Sequence, residues 1–319
     1  MSTLLQIDLF LNRIRMKLAP ILLTVLLAAR PAMATDDQKT FASPEEAVTA
    51  LAAAVKAQDQ DVLRTIFGPA LQKVENPDRV QATNECVVFG TALDQSFHLT
   101  RESDTKMVLE VGTNSWPFPI PIVKQAGRWF FDTQAGEEEL SNRRIGRNEL
   151  ATLEVMRAFV DAQREYASRD RDDDDVLEFA QRLASSPGKK DGLYWPPELD
   201  GEISPLGPLV AHAQAEGYFG DTPIDKFSPQ AFDGYLFKIL TRQGKHAPGG
   251  KYDYVINGNM IAGFALVAWP AEYGQSGIMT FIVNQQGRVF QKDLGSKTSK
   301  IAKKMTEYDP DESWRVSSD

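Results

Sequence analysis

Cysteine is almost absent from this 319-residue chain: Cys86 stands alone. No internal disulfide can form, so the fold must rest on burial unless Cys86 pairs with another chain. Its setting in "NECVVFG", beside Val87, Val88 and Phe89, predicts a small buried hydrophobe. Histidine is nearly as scarce. His98, His212 and His246 are far apart, and none stands at metal-ligand spacing from another His or from Cys86. No phosphate-cradling or dinucleotide glycine pattern occurs. "GQSG" (274–277) places Ser276 between glycines, but it lies between strands and is not G-x-S-x-G, so it reads as a turn. Basic blocks are also missing from a chain of formal charge −9. A chain so acidic is a poor ligand for phosphate backbones, which argues against nucleic acid as a partner. Finally, no second long apolar run follows the N-terminal one, so no membrane span is expected beyond it.

That first run reads as an export signal. Arg13, Arg15 and Lys17 form a positive flank, "LAPILLTVLLAA" (18–29) is apolar, and "AMA" (32–34) supplies small residues for cleavage after Ala34. Met16 is an alternative start. The run is short for a bilayer span, which favours a cleaved signal over a retained anchor. Without residues 1–34, which carry a net +3, the charge is about −12. The predicted location is the periplasm or the cell exterior.

The remaining residues predict an α+β protein in two parts. In the first (40–140), Ser43, Pro44 and Glu46 open a helix with Val48, Leu51 and Val55 on one stripe. Asp59 or Asp61 caps a second helix, "VLRTIF", stopped by Gly68 and Pro69, and a third lies in "DRVQATNECVVFGTAL". "KMVLEV", "PFPIPIVKQ" and "RWFFDT" are strand-like, with a hairpin turn at 125–128. The charged stretch 136–150 lacks apolar periodicity and reads as a connector. The second part (146–310) begins with a long helix, 148–168, with Leu153, Met156, Val160 and Ala167 near one stripe. A Pro- and Gly-rich region (183–217) ends in a short helix. Strands follow in "GYLFKILT", "MIAGFALVAWP" and "GIMTFIVNQQGRVFQKDLG", with a turn at 284–287, then a closing helix over 296–308 and an irregular acidic tail.

The helix pair "SPEEAVTALAAAVKAQDQDVLRTIF" and the hairpin "WPFPIPIVKQAGRWFFDT" resemble an NTF2-like cone, helices against a curled antiparallel sheet. Such cones often hold a pocket, and Trp116, Phe118 and Trp129 either line one or fill the core. The long helix followed by an antiparallel sheet resembles the globular part of type IV pilins and pseudopilins. The helix is internal here, so pilin-type polymerisation is not implied. Across the whole chain, "FASPEEAV", "WPFPIPIVK", "RRIGRNEL", "LASSPGKKDGLYWP", "SPLGPLVA" and "GYLFKILTRQGKHAPGGKYDYVINGNMIAGFALVAWPAEYG" closely resemble DUF2950, a bacterial family of exported proteins. The resemblance implies export and names no reaction.

One stretch carries a specific chemistry. In "DRDDDDVLEFAQ" (170–181), Asp170, Asp172 and Asp174 alternate, Val176 offers a carbonyl and Glu178 falls ninth, as in a calcium loop. The related family resembles "DRDGDGVLE" here, so Asp173 and Asp175 stand where it has glycine. The sixth position, Asp175, needs positive φ, which aspartate tolerates better than most residues. Gln181 at the twelfth position excludes a full EF-hand. The expectation is a calcium turn of affinity about 10⁻⁴–10⁻³ M, or else a solvated acidic cluster after a helix end, where the dipole is unfavourable to it.

Three functional readings stay open. The first is a non-enzymatic binding or envelope-associated scaffold, with an unknown ligand or envelope protein as partner and calcium as its one cofactor. The loops "LYWPPE" and "AWPAEYG" would then offer contact surface. The second is a hydrolase or isomerase using the cone, which requires Asp132, Glu137 or His98 to converge. The third is a pilus or secretion-system accessory. Lys245 and His246 in "GKHAPGG" either meet an anionic ligand or form an ordinary loop.

Overall fold

A chain without disulfides has to close its helices by capping and its sheets by register, and both devices are visible. The structure, a computed structural model, describes residues 38–171, 174–199, 201–218 and 231–317. The signal-like segment 1–34 lies outside them. The described residues form one compact unit, and its architecture is α+β, with seven α-helices among them.

Helix α1 (Pro44–Ala57) starts where the sequence predicts: Ser43 Oγ accepts from the Glu46 amide, while the Glu46 carboxylate accepts from the Ala42 amide at 2.7 Å. Helix α2 (Gln60–Phe67) is capped by Asp59, whose carboxylate accepts from the Val62 amide. A short α3 (Leu71–Val74) precedes α4 (Arg79–Gln95), capped by Asp78. The first sheet is antiparallel in the order β1 (Phe97–Ser103), β2 (Lys106–Val111), β4 (Ile122–Gln125), β5 (Arg128–Phe131), with β3 (Trp116–Pro117) beside β2. Ala126 and Gly127, both at positive φ, close the β4–β5 hairpin in the twist-matched way. The helices cover this sheet around Phe41, Leu51, Ile66, Leu109, Ile122 and Phe131. Cys86 is half-buried at the edge of that core rather than fully inside it.

Helix α5 corrects the expected connector. It runs unbroken over Thr133–Tyr166, 34 residues, because Asp132 accepts from the Ala135 amide and nothing afterwards interrupts it. The apolar period is missing from its first half because the buried face there is polar: Thr133, Arg144, Asn148 and Thr152 point inward. Gly136 sits so close to Pro119 and Ile120 that a Cβ would lie 2.8 Å from the Ile120 side chain. From Leu153 onward the face turns apolar through Met156, Phe159, Val160 and Tyr166.

After α6 (Gly207–Ala215), the second sheet is antiparallel in the order β15 (Arg315–Val316), β13 (Phe290–Asp293), β12 (Met279–Asn284), β11 (Ala265–Pro270), β6 (Tyr235–Leu240). Strand β11 is buried along its whole length. Its core holds Met156, Phe159, Trp195, Tyr235, Phe264 and Phe281. Smaller pieces are β7 (Arg242–Gln243), β8 (Tyr252–Asp253), the hairpin β9 (Val255–Ile256) and β10 (Asn259–Met260), and β14 (Glu307–Tyr308). The closing helix is shorter than expected: α7 spans Thr298–Lys304, and Glu307–Tyr308 is strand. The tail is not wholly irregular either, since β15 pairs with β13.

Candidate functional site

The acidic stretch leaves the C-terminal end of α5, where exposed carbonyls repel carboxylates. Arg171 answers this locally. Its side chain is 6 % exposed. It reaches back to the Tyr166 carbonyl, stacks 5.2 Å from the Trp195 ring, and pairs with Glu202 at 2.6 Å. Lys190 completes the group, 2.6 Å from Glu202, and holds the Glu202 carboxyl below its ordinary range, with Arg171 as the next cause. One positive residue of "DRDDDD" is thus turned inward, while Asp174 and Asp175 stay exposed.

The turn then closes on itself. Asp175 sits at φ 63, the left-handed region, and its amide donates to Asp170 Oδ2 at 2.9 Å. Asp174 Oδ1 accepts from the Val176 amide at 2.8 Å. Asp174 Oδ2 accepts from Asn259 Nδ2 at 2.8 Å, and Glu178 Oε2 from the Met260 amide at 2.9 Å. Phe179 bridges to Met260 through the backbone, and Gln181 donates to the Gly258 carbonyl. Asp170, Asp174, Val176 and Glu178 are therefore held between the end of α5 and the β9–β10 hairpin. Asp172 lies outside the described residues, and among those described no three His, Cys, Asp or Glu side chains converge as a ligand set.

The other candidates are occupied elsewhere. Asp132 caps α5, Glu137 faces Lys73 at 3.6 Å, and His98 is exposed on β1. Among the described residues no hydrogen bond or ion pair joins His98 to either carboxylate. Phe118 packs with Phe67, Phe89, Trp116 and Phe131, so the aromatics of the first sheet fill its core. Trp129 is 9 % exposed in the same core. Trp195 and Trp269 are buried too, which removes them from the expected contact surface. Ser276 is buried in its turn, bonded to Glu272. Asp309 takes the place expected of an anionic ligand beside "GKHAPGG": its carboxylate accepts from the His246 amide at 2.7 Å and lies 3.0 Å from His246 Nδ1.

A second polar group, unread in the sequence, joins the two cores. Asp78 Oδ1 caps α4, and its Oδ2 accepts from the Tyr218 hydroxyl at 2.7 Å. Gln81 Nε2 donates to Asn148 Oδ1 at 3.0 Å, and Asn148 Nδ2 to the Ser276 carbonyl at 2.9 Å. Arg144 donates to the Val74, Glu75 and Gln275 carbonyls. Arg147 pairs with Glu85, and Glu149 accepts from the Ile278 and Met279 amides. The string "RRIGRNEL" thus supplies the clasp between the halves. Burial pushes Asp233 up to about 6, with Glu216 and Asp78 adding repulsion. Burial, then the bond to Asp78, also raises the Tyr218 hydroxyl. Polar residues at helical spacing on one face of α5 were the available signal.

A family model described as a protein of unknown function (DUF2950) matches residues 38–317. No curated protein and no solved structure matches the chain, so the likenesses to NTF2-like cones and to pilins rest on the sequence patterns that suggested them.

Proposed function

The chain belongs to the DUF2950 family, whose description assigns no activity, and we propose that it is an exported, non-enzymatic scaffold of the periplasm or cell exterior with a weak calcium-binding turn. The ligands are the carboxylates of Asp170, Asp172, Asp174 and Glu178 and the carbonyl of Val176. One observation carries this reading: Asp175 adopts φ 63 at the sixth position and returns its amide to the first aspartate. A calcium loop needs that reversal, and here it occurs without glycine. Export rests on the signal-like segment 1–34. The scaffold reading is supported by the filled aromatic core of the first sheet, by the engagement of Asp132 and Glu137 with other partners, and by the exposed position of His98 away from them.

In this role the ion joins the end of α5 to the β9–β10 hairpin, which Asp174 and Glu178 already touch. It also offsets the repulsion among neighbouring carboxylates. Thermal melting with millimolar calcium against chelator tests it. A calcium-dependent rise in Tm that disappears in Asp172→Ala supports the site. An unchanged Tm at millimolar calcium overturns it.

A further inference from the structure

The closing helix α7 has two unlike faces. Thr298 and Ala302 are fully buried against the second core. The opposite stripe is Lys297, Lys300, Ile301 and Lys304, at the i, i+3, i+4, i+7 spacing of one helical face. All three lysines are exposed, and Ile301 is 41 % exposed. Together with Met305 they line a groove of about 440 Å³. A second groove begins at Met305 and continues to Trp314 and Ile282. Lys238 fixes the orientation of the helix by donating to the Lys303 and Met305 carbonyls at 2.9 and 2.7 Å.

The charge on this face is uncompensated. Among the described residues, no carboxylate pairs with Lys297, Lys300, Lys303 or Lys304. The acidic neighbours in the second groove are already engaged: Glu307 with Lys251 at 3.3 Å, Asp309 with His246 at 3.0 Å. Lys292, over the Trp314 ring, bonds to Ser313 and is matched by Asp311, so it is not part of this face. A chain of net charge −9 thus presents one positive face with an apolar floor and a tryptophan at its border.

We infer that α7 is the site at which this protein docks peripherally on a bilayer rich in anionic phospholipid. Lys297, Lys300 and Lys304 meet the headgroup phosphates, and Ile301 and Met305 enter the shallow apolar layer beneath them. Charge complementarity selects this partner: each lysine near an anionic surface adds attraction, while an exposed isoleucine among them adds nothing for a purely polar ligand. The inference does not depend on calcium, and its test is run in chelator.

The protein for the test begins at Thr35, after the cleavage site that the signal-like segment offers, so the apolar run 18–29 cannot itself enter the lipid. Sedimentation with phosphatidylglycerol-containing vesicles should show binding that pure phosphatidylcholine vesicles lack and that rises as salt is lowered. Lys297→Glu/Lys300→Glu/Lys304→Glu should weaken it by about a hundredfold, with an unchanged Tm reporting an intact fold. Ile301→Ser, with every lysine kept, should weaken it less but measurably. Equal binding to both vesicle types, or binding that the triple variant retains, overturns the inference. So does a triple variant that alters only the sedimentation coefficient of the free protein, since a second copy would then be the partner.

Discussion

The Tyr218 hydroxyl donates to Asp78 Oδ2 at 2.7 Å, across 140 positions of sequence. Asp78 also caps α4 and accepts from the Gly234 amide at 3.3 Å. One carboxylate therefore fixes a helix start in the first half and, in the second, one side-chain hydroxyl and one backbone amide. Asp233 lies beside it, half-buried, and its own amide donates to the Tyr218 oxygen at 3.3 Å.

Burial raises Asp233 to about 6 from an ordinary carboxylate value of 3.8. The folded state then binds more protons than the unfolded state between about pH 4 and 6, so this group makes stability fall as pH rises through that window and level off above it. Asp233→Asn removes the charge and keeps the left-handed backbone, which asparagine accepts readily at φ 48. The variant should gain on the order of 2 kcal/mol at pH 7.5 and lose the pH 4–6 slope. Urea unfolding at several pH values measures both.

The clasp predicts coupling between halves. Gln81 and Asn148 bond at 3.0 Å, both buried, and neither has bulk water to replace the partner. A double-mutant cycle of Gln81→Ala and Asn148→Ala should give a coupling of about 1–2 kcal/mol. Arg144→Ala, which strands three carbonyls, should cost on the order of 3 kcal/mol by itself. Additive effects in the cycle would contradict the clasp.

Two glycines should respond in opposite directions. A Cβ at Gly277 would overlap the fully buried Tyr235 ring and hydroxyl. Gly277→Ala is expected to destabilise by about 2–3 kcal/mol. Gly146 lies inside α5 with nothing within 4 Å of its added Cβ. Gly146→Ala should stabilise by about 0.5–1 kcal/mol. Thermal melts of the two single variants decide the matter.

Local signals were the legible part of this fold. Ser43 and Asp59 announce α1 and α2, "KMVLEV" is strand β2, residue for residue, and the turn at 125–128 closes where its glycine allows. The misses have separate causes, and in the longest element the deciding partners are remote. The first half of α5 hides because its inward residues bond to carbonyls at Val74, Gln275 and Ser276 instead of joining an apolar stripe. Strand β1 was unread because Phe97 and its neighbours are exposed at a sheet edge and do not alternate. The Asn257–Gly258 hairpin carries a strong turn pair, yet its strands are two residues each. The lysine face of α7 is no basic block in sequence; helical spacing gathers it.

The calcium turn makes its own prediction at Asp175. With φ 63, this residue holds a backbone conformation that costs an L-residue strain and that glycine adopts freely. Its carboxylate also adds to the repulsion from Asp170 and Asp174 without belonging to the ligand set. Asp175→Gly removes both costs and adds only the entropy of glycine in the unfolded chain. Loop closure through the amide to Asp170 Oδ2 is a backbone bond and survives the change. The calcium-free turn already holds this conformation, so the relief is shared by the free and bound forms and should appear as stability: Asp175→Gly should gain about 0.5–1 kcal/mol in chelator, strain relief less the glycine entropy. Urea unfolding of wild type and variant in chelator reads this directly. A variant no more stable than wild type would mean that the left-handed backbone at Asp175 carries no strain for the turn to release.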